Sequence, residues 1–353
     1  GMPTVISLGA GSGFTTKEEA SSHLVIDANG EVTIVDPNIK VLEDLSRLGI
    51  PLKNVKNIVV SHTHFDHIAG FWRLVRHLSH KPNLIIHANP DDIGNIVHHK
   101  EGSEYSTLLA LLDQGLRASK KGATAKQLLN LVHVVPMKYM QDMQVGSFTY
   151  RFFNGNHTIL TAGYSIINPE TGKPAFLYTG DTRMDAEKLY TAKGADGKRV
   201  MSDARVEFLS NMVTNTLLAG GYVLADAGFK DPFKHIHPGV DHYVGLLAAL
   251  EATGISGKAL EDIKQRLLLN HVSEDEVAKA GLRYAGFGWN DAIHLVTQLE
   301  WKPMRDEEID RVLMTRGMKT ASALRKLPAD VFDELLGMGR IRRFGSGTHL
   351  MRQ

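Results

Sequence analysis

The chain has 353 residues, 43% hydrophobic and 22% charged, with 40 basic against 39 acidic side chains for a formal charge of +1. This size and balance exclude a disordered or fibrous protein, and the near-zero charge leaves no global field to hold nucleic acid. Cysteine is absent, which removes disulfides, thiolate metal sites, iron–sulfur clusters and cysteine nucleophiles together. Seventeen histidines remain, so any metal must be held by imidazole and carboxylate.

Short β-branched runs at Val5–Leu8, Leu24–Asp27, Val32–Asp36 and Ile58–Ser61 predict strands, punctuated by the glycine-rich stretch 8–13 and the Asp36-Pro37 corner. Apolar residues at helical spacing predict helices over Ile39–Leu48 and Ile68–Leu78, with Phe71 and Trp72 in the core. A strand at Leu84–His87 ends at Asn89-Pro90, and residues 91–131 read as a helical insertion at one edge. Its basic residues, Lys100, Arg117, Lys120, Lys121 and Lys126, are scattered as on a solvated face. Further strands are predicted at Phe148–Phe153, Tyr164–Ile167, Phe176–Thr179 and Tyr222–Ala225. A helix at Asp241–Ala252 and a last core strand at Arg266–Leu269 complete an α/β layered pattern. The character shifts after Pro303, placing a domain boundary near residue 300. No apolar run approaches the roughly 18 residues that span a bilayer, so no membrane partner is expected. Gly1 ahead of Met2 reads as a scar of tag removal, and without a signal segment a cytoplasmic location is expected.

The segment Ser61-His-Thr-His-Phe-Asp-His67 directly follows the apolar run Ile58–Val60, so its polar groups emerge from the end of a buried strand. In an extended chain His62 and His64 point to one side. Three imidazoles and a carboxylate within six residues can converge on a metal, whereas simple burial would leave them badly desolvated. Asn156-His157-Thr158 and Tyr178-Thr-Gly-Asp181-Thr182 each follow a strand, and His271 ends the last one. Taken singly, His157 would read as a structural histidine and Asp181 as a turn or cap residue.

The His62-x-His64-x-Asp66-His67 pattern, followed in order by His157, Asp181 and His271, resembles the metallo-β-lactamase superfamily over about residues 4–275. The resemblance implies a four-layer αββα sandwich over residues 1–300, with 301–353 as a C-terminal helical extension. It implies two divalent metal ions, one held by His62, His64 and His157, the other by Asp66, His67 and His271, with Asp181 bridging. Zinc is the first expectation, although nitrogen and oxygen ligands suit iron and manganese nearly as well. The implied chemistry is hydrolysis by a metal-bridging hydroxide.

The glycine stretch 9–13, Gly163-Tyr-Ser and Leu177-Tyr-Thr-Gly-Asp181 are similar to the phosphodiesterase and transfer-RNA 3′-processing nuclease branch. That nuclease carries a His-Glu-Ala-Thr segment with a proton-donating histidine, and here Ala225-Asp-Ala-Gly228 stands in its place. Asp226 with His237 is the replacement acid–base pair expected beside Asp66 in catalysis, against a plain reading of His235, His237 and His242 as a polar loop. With no basic clamp for transfer RNA, the expected substrate is a small phosphodiester, a cyclic nucleotide or a short nucleic acid. A lactone or thioester acyl hydrolase and an iron-dependent redox enzyme remain alternatives, and a homo-oligomer stays open. The other histidines, among them His23, His87 and the His98-His99 pair, have no partner at ligand spacing and read as structural. The stretch from Ala329 to Gln353 faintly resembles the start of a cyclic-nucleotide-binding domain but stops before its phosphate-binding loop.

Overall fold

The structure is a computed structural model that describes residues 1–12, 19–78, 84–90, 92, 133–184, 203–228 and 237–295. Most of the insertion expected at 91–131, His235 and the extension 301–353 lie outside the described residues. The first sheet contains β1 (Thr4–Gly9), β2 (Ser22–Ile26), β3 (Val32–Val35), β4 (Val55–Val59), β5 (Ile85–Ala88), β6 (His133–Pro136) and β14 (Ile293–His294), in the order β14-β1-β2-β3-β4-β5-β6. The second contains β7 (Asp142–Val145), β8 (Phe148–Asn154), β9 (Ala162–Ile167), β10 (Pro174–Tyr178), β11 (Tyr222–Asp226), β12 (Leu267–Asn270) and β13 (Arg283–Tyr284), in the order β13-β12-β11-β10-β9-β8-β7. In each sheet an antiparallel half is joined to a parallel half: β3 to β6 run parallel in the first, β10 to β13 in the second.

Period-two alternation sorts the side chains into layers. Val5, Val35 and Val59 of the first sheet meet Tyr150, Phe152, Tyr164, Phe176, Leu224 and Leu268 of the second in a core between the sheets. Their neighbours Ile6, Ile34 and Ile58 face outward, against α1 (Val41–Arg47) and α3 (Phe71–Leu78). On the far side, Leu177, Val223, Ala225, Leu267 and Leu269 pack on α4 (Asp203–Leu218), α5 (Val240–Glu251) and α6 (Gly257–Arg266). The result is the expected αββα sandwich, with strands buried on both faces and therefore nearly continuous apolar runs. No helix among the described residues is long and apolar enough to cross a membrane.

Three local readings change. The predicted helix Ile68–Leu78 is two pieces, α2 (Phe65–Ile68) and α3, broken at Ala69-Gly70. A Cβ on Gly70 would stand 1.9 Å from the Asn38 carbonyl oxygen, so the chain passes too close to the β3 loop for any side chain there. Arg266 closes α6 rather than opening a strand, and β12 is not the last: β13 and β14 follow as two-residue edges, too short to show alternation. The strands β6 and β7 and the helices α4 and α6 carry no expectation above. The two strands are largely solvent-facing edges. In α4, Thr214 and Thr216 donate to carbonyls four residues back, in a run of Val, Thr and Asn that are weak helix formers.

Candidate metal centre

Every residue singled out for the site is carried at or beyond the carboxyl end of a strand. His62 follows β4, where Val60 and Ala162 fix the chain through Val60 N–H to His87 O (2.9 Å) and Ala162 N–H to Ser61 O (2.9 Å). His64 precedes α2 in extended conformation, and Asp66 and His67 lie on that helix. His157 sits in the loop between β8 and β9, tied down by Gly155 N–H to Thr161 O and by Asn156 N–H to Thr182 Oγ1. Asp181 follows β10 through Gly180, whose φ is 61°. Asp226 ends β11, and His271 follows β12 with φ 59°. Asp36, after β3, has φ 52°. Left-handed backbone costs a non-glycine residue energy and tends to collect at working sites.

The side chains form two groups that meet at one oxygen. His62 Nε2 and His157 Nε2 each lie 3.1 Å from His64 Nδ1. His271 Nε2 and His67 Nε2 lie 3.1 and 3.3 Å from Asp66 Oδ2. Asp181 Oδ2 is common to both groups, 3.0 Å from His67 Nε2, 3.1 Å from His271 Nε2, 3.6 Å from His62 Nε2 and 3.9 Å from His157 Nε2. An ion bonded at about 2.0–2.1 Å to tetrahedral nitrogen and oxygen donors sets them roughly 3.3 Å apart. The donor set and its spacings therefore fit divalent metal.

The outward-facing atoms fix the tautomers. Asp36, fully buried, accepts from Ser61 N–H (2.7 Å), Ser61 Oγ–H (2.5 Å), Tyr178 O–H (2.7 Å) and His67 Nδ1–H (2.9 Å). With Nδ1 donating, His67 presents a bare Nε2 to the site. Ser61 Oγ, its own proton given to Asp36, accepts from His62 Nδ1 at 2.9 Å, which leaves His62 Nε2 bare as well. Asp226 accepts from Thr182 N–H (3.0 Å) and Gly228 N–H (2.8 Å) and lies 2.6 Å from His237 Nδ1. The His237 ring stacks on His271 at 4.7 Å between centroids and meets His157 edge-on at 5.0 Å. A Cβ on Gly228 would stand 2.3 Å from His271 Nδ1, so glycine is needed for that approach. Sequence reading thus named nine residues that the fold brings together, and treated Asp36 as a turn corner only. Its signal was slight: an acidic residue closing a buried strand. His23 and His87, read as structural, are buried against Tyr164 O–H (2.6 Å) and Asn57 Oδ1 (3.2 Å).

Without metal, protons hold the second group together. Burial disfavours a charged His67, but Asp181 and Asp66 outweigh it and raise its pKa well above 6.5. His271, likewise opposed by burial and favoured by Asp181, is raised to about 10. Asp181 and Asp66 are lowered, their desolvation overcome by these imidazolium partners. Burial lowers His62, His64 and His157, the last to about 3. A raised histidine pKa stabilises the fold fully below the unfolded value of 6.5 and ceases to do so as pH climbs through about 10. The lowered carboxylates act in the opposite sense, contributing above 3.8 and losing effect as pH falls. The metal-free protein should therefore lose stability from about pH 6.5 to 10, and metal binding near neutrality should release about two protons per chain. Calorimetry of metal binding in buffers of different ionisation enthalpy counts them; no net release would contradict this charge assignment.

Two facing mixed sheets flanked by helices, with histidine and aspartate donors at the strand ends, define a metallo-β-lactamase fold. Solved structures agree. Yeast PDE1 superposes with a TM-score of 0.51 at 13% identity, covering 77% of this chain and 88% of that one. Human tRNase Z, short form, and the metallo-β-lactamase fold protein YhfI from Bacillus subtilis each give 0.50, at 14% and 16% identity over 83% of this chain and 99% and 100% of theirs. The chain belongs to the Anti-Pycsar protein Apyc1 family, whose model matches residues 3–218. The Anti-Pycsar protein Apyc1 of Bacillus phage vB_BveM-Goe7 is 40% identical over 63 residues, 18% of this chain and 24% of that protein. The cGMP-dependent 3′,5′-cGMP phosphodiesterase A of Dictyostelium discoideum is 23% identical over 342 residues, 97% of this chain. The chain spans about a third of that relative's length.

Proposed function

We propose that this protein is a metal-dependent phosphodiesterase whose centre holds two divalent ions, zinc first among them, and whose substrate is a 3′,5′-cyclic nucleotide. The observation that carries the reading is the single Asp181 oxygen within 3.0–3.9 Å of four imidazole nitrogens belonging to two donor groups. In this reading His62, His64 and His157 hold one ion, Asp66, His67 and His271 the other, and Asp181 joins them. The name of the Dictyostelium relative, a 3′,5′-cGMP phosphodiesterase, supports the phosphodiester and cyclic-nucleotide parts. The boundary near residue 300 belongs to the same proposal, supported by β14, which pairs with β1 to close the first sheet at His294.

When bound, such a pair of ions supplies hydroxide at neutral pH and neutralises charge on phosphoryl oxygens. The chain's own residues do the rest. Asp36 orients His67, Ser61 orients His62, and the buried walls around Asp181 exclude bulk water. His237, held through Nδ1 by Asp226, keeps Nε2 for delivering a proton to the departing ribose oxygen.

Metal analysis after reconstitution tests the centre: two ions per chain are expected, and one would refute the bridged arrangement. His237→Gln tests the proton donor. It should slow cleavage of a cyclic nucleotide, whose alkoxide must be protonated, by about 10²–10⁴-fold. A p-nitrophenyl diester needs no proton on leaving and should slow far less. Equal losses on both substrates would remove His237 from that role.

A further inference from the structure

Phe65 is the most exposed large apolar side chain among the described residues, at 69%. It stands between two donors of the site, His64 and Asp66, so its Cα is about 3.8 Å from each of theirs. The fold does not use the ring: on the same short helix His67 and Ile68 are the buried residues, and a polar side chain at position 65 would serve α2 equally well. Position 65 also belongs to the open edge of the site, between two partly exposed donors. His62, His67 and Asp181 are buried at the back, whereas His64 and Asp66 are partly open, and His64 Nε2 meets Thr158 Oγ1 at 3.3 Å. Ile39, 55% exposed, follows β3 as Phe65 follows the adjacent parallel strand β4, so the same rim carries a second apolar group.

An aromatic face beside a phosphate-reactive centre suits a particular kind of substrate. In a nucleotide the base is held one sugar away from the phosphorus, a separation comparable to the reach of one phenylalanine side chain from the neighbouring donors. Every base has a π-face, and stacking on an aromatic ring is favourable whatever its hydrogen-bonding pattern. An aliphatic lactone or thioester would present nothing flat to this ring. We propose that Phe65 is the specificity-determining residue on which the base of a nucleoside phosphodiester stacks while its phosphate lies over the Asp66–Asp181 donors. This rests on the phosphodiesterase reading above.

The test uses the metal-loaded full chain, wild type against Phe65→Ala and Phe65→Trp, with a purine 3′,5′-cyclic nucleotide and with ribose 3′,5′-cyclic phosphate carrying hydrogen in place of the base. In Phe65→Ala the ratio of kcat/KM for the base-bearing over the base-free substrate should fall about tenfold, through KM, within the range that stacking on an aromatic gives. Phe65→Trp should restore it. Equilibrium binding of the hydrolysis-resistant cyclic phosphorothioate should weaken by the same factor in Phe65→Ala, with the unfolding temperature unchanged. A ratio and a binding constant within twofold of wild type would overturn the stacking role while leaving the phosphodiesterase reading intact. Wild-type protein that cleaves neither substrate would overturn that reading, and the stacking proposal with it.

Discussion

Asp181→Ala should reduce phosphodiester turnover by more than about a thousandfold, because in the proposed centre one carboxylate oxygen would serve both halves. In the folded chain that oxygen is 3.0 and 3.1 Å from His67 and His271 and 3.6 and 3.9 Å from His62 and His157. Removing it leaves the His62–His64–His157 group with its three imidazoles and the Asp66–His67–His271 group with one carboxylate. The bound metal should therefore fall from two ions per chain to one or fewer. In the metal-free protein, His67 and His271 would then share Asp66 alone on their Nε2 side, with Asp36 and Asp226 behind them, so His271 should titrate below the value of about 10 that Asp181 helps to support. Metal analysis and the histidine resonances report the two effects separately. Full metal content with full activity in the variant would contradict the bridging role.

Asp36→Asn should be the second severe lesion, although Asp36 is not among the donors that face the centre. Its carboxylate accepts from the Ser61 N–H and Oγ–H, Tyr178 O–H and His67 Nδ1–H, all in a fully buried setting. Asparagine tolerates the left-handed φ of 52°, so the substitution leaves the backbone and changes the acceptor. One oxygen is replaced by an N–H₂ group that must face existing donors, and the imidazolium of the metal-free state loses a buried partner. Breaking a buried charged pair of this kind costs about 3–5 kcal/mol, readable by denaturant unfolding. Metal affinity at the Asp66–His67–His271 group should fall by about 10–100-fold, the usual consequence of removing the acceptor behind a ligating histidine. Wild-type stability and metal affinity in this variant would show that the network merely fills space.

The contrast between Asp181 and Asp36 explains what could be read before the fold was known. Asp181 sits in a strand-ending Tyr-Thr-Gly-Asp-Thr segment that only makes sense together with the histidines preceding it. Asp36, ahead of Pro37, has the local chemistry of a turn, and its four donors come from Ser61, His67 and Tyr178, up to 142 residues away. No spacing in the chain announces that convergence. The pair Asp226–His237 was legible as residue types and gained meaning from the 2.6 Å contact, with His237 packed between His157 and His271. The same division holds for the fold. Strands buried on both faces, such as β11 and β12, show as apolar runs. The edges β6, β7, β13 and β14 bury too little to leave a pattern, and the break at Gly70 depends on the Asn38 carbonyl lying against it.

The most direct measurement is hydrolysis of 3′,5′-cyclic nucleotides by the zinc-, manganese- or iron-reconstituted protein, followed by the appearance of nucleoside monophosphate, with Asp181→Ala alongside. Monophosphate formed by the wild type and absent with the variant is the expected result. No monophosphate with any of the three metals, together with opening of a lactone or thioester, would contradict the phosphodiesterase assignment and leave the centre to acyl chemistry.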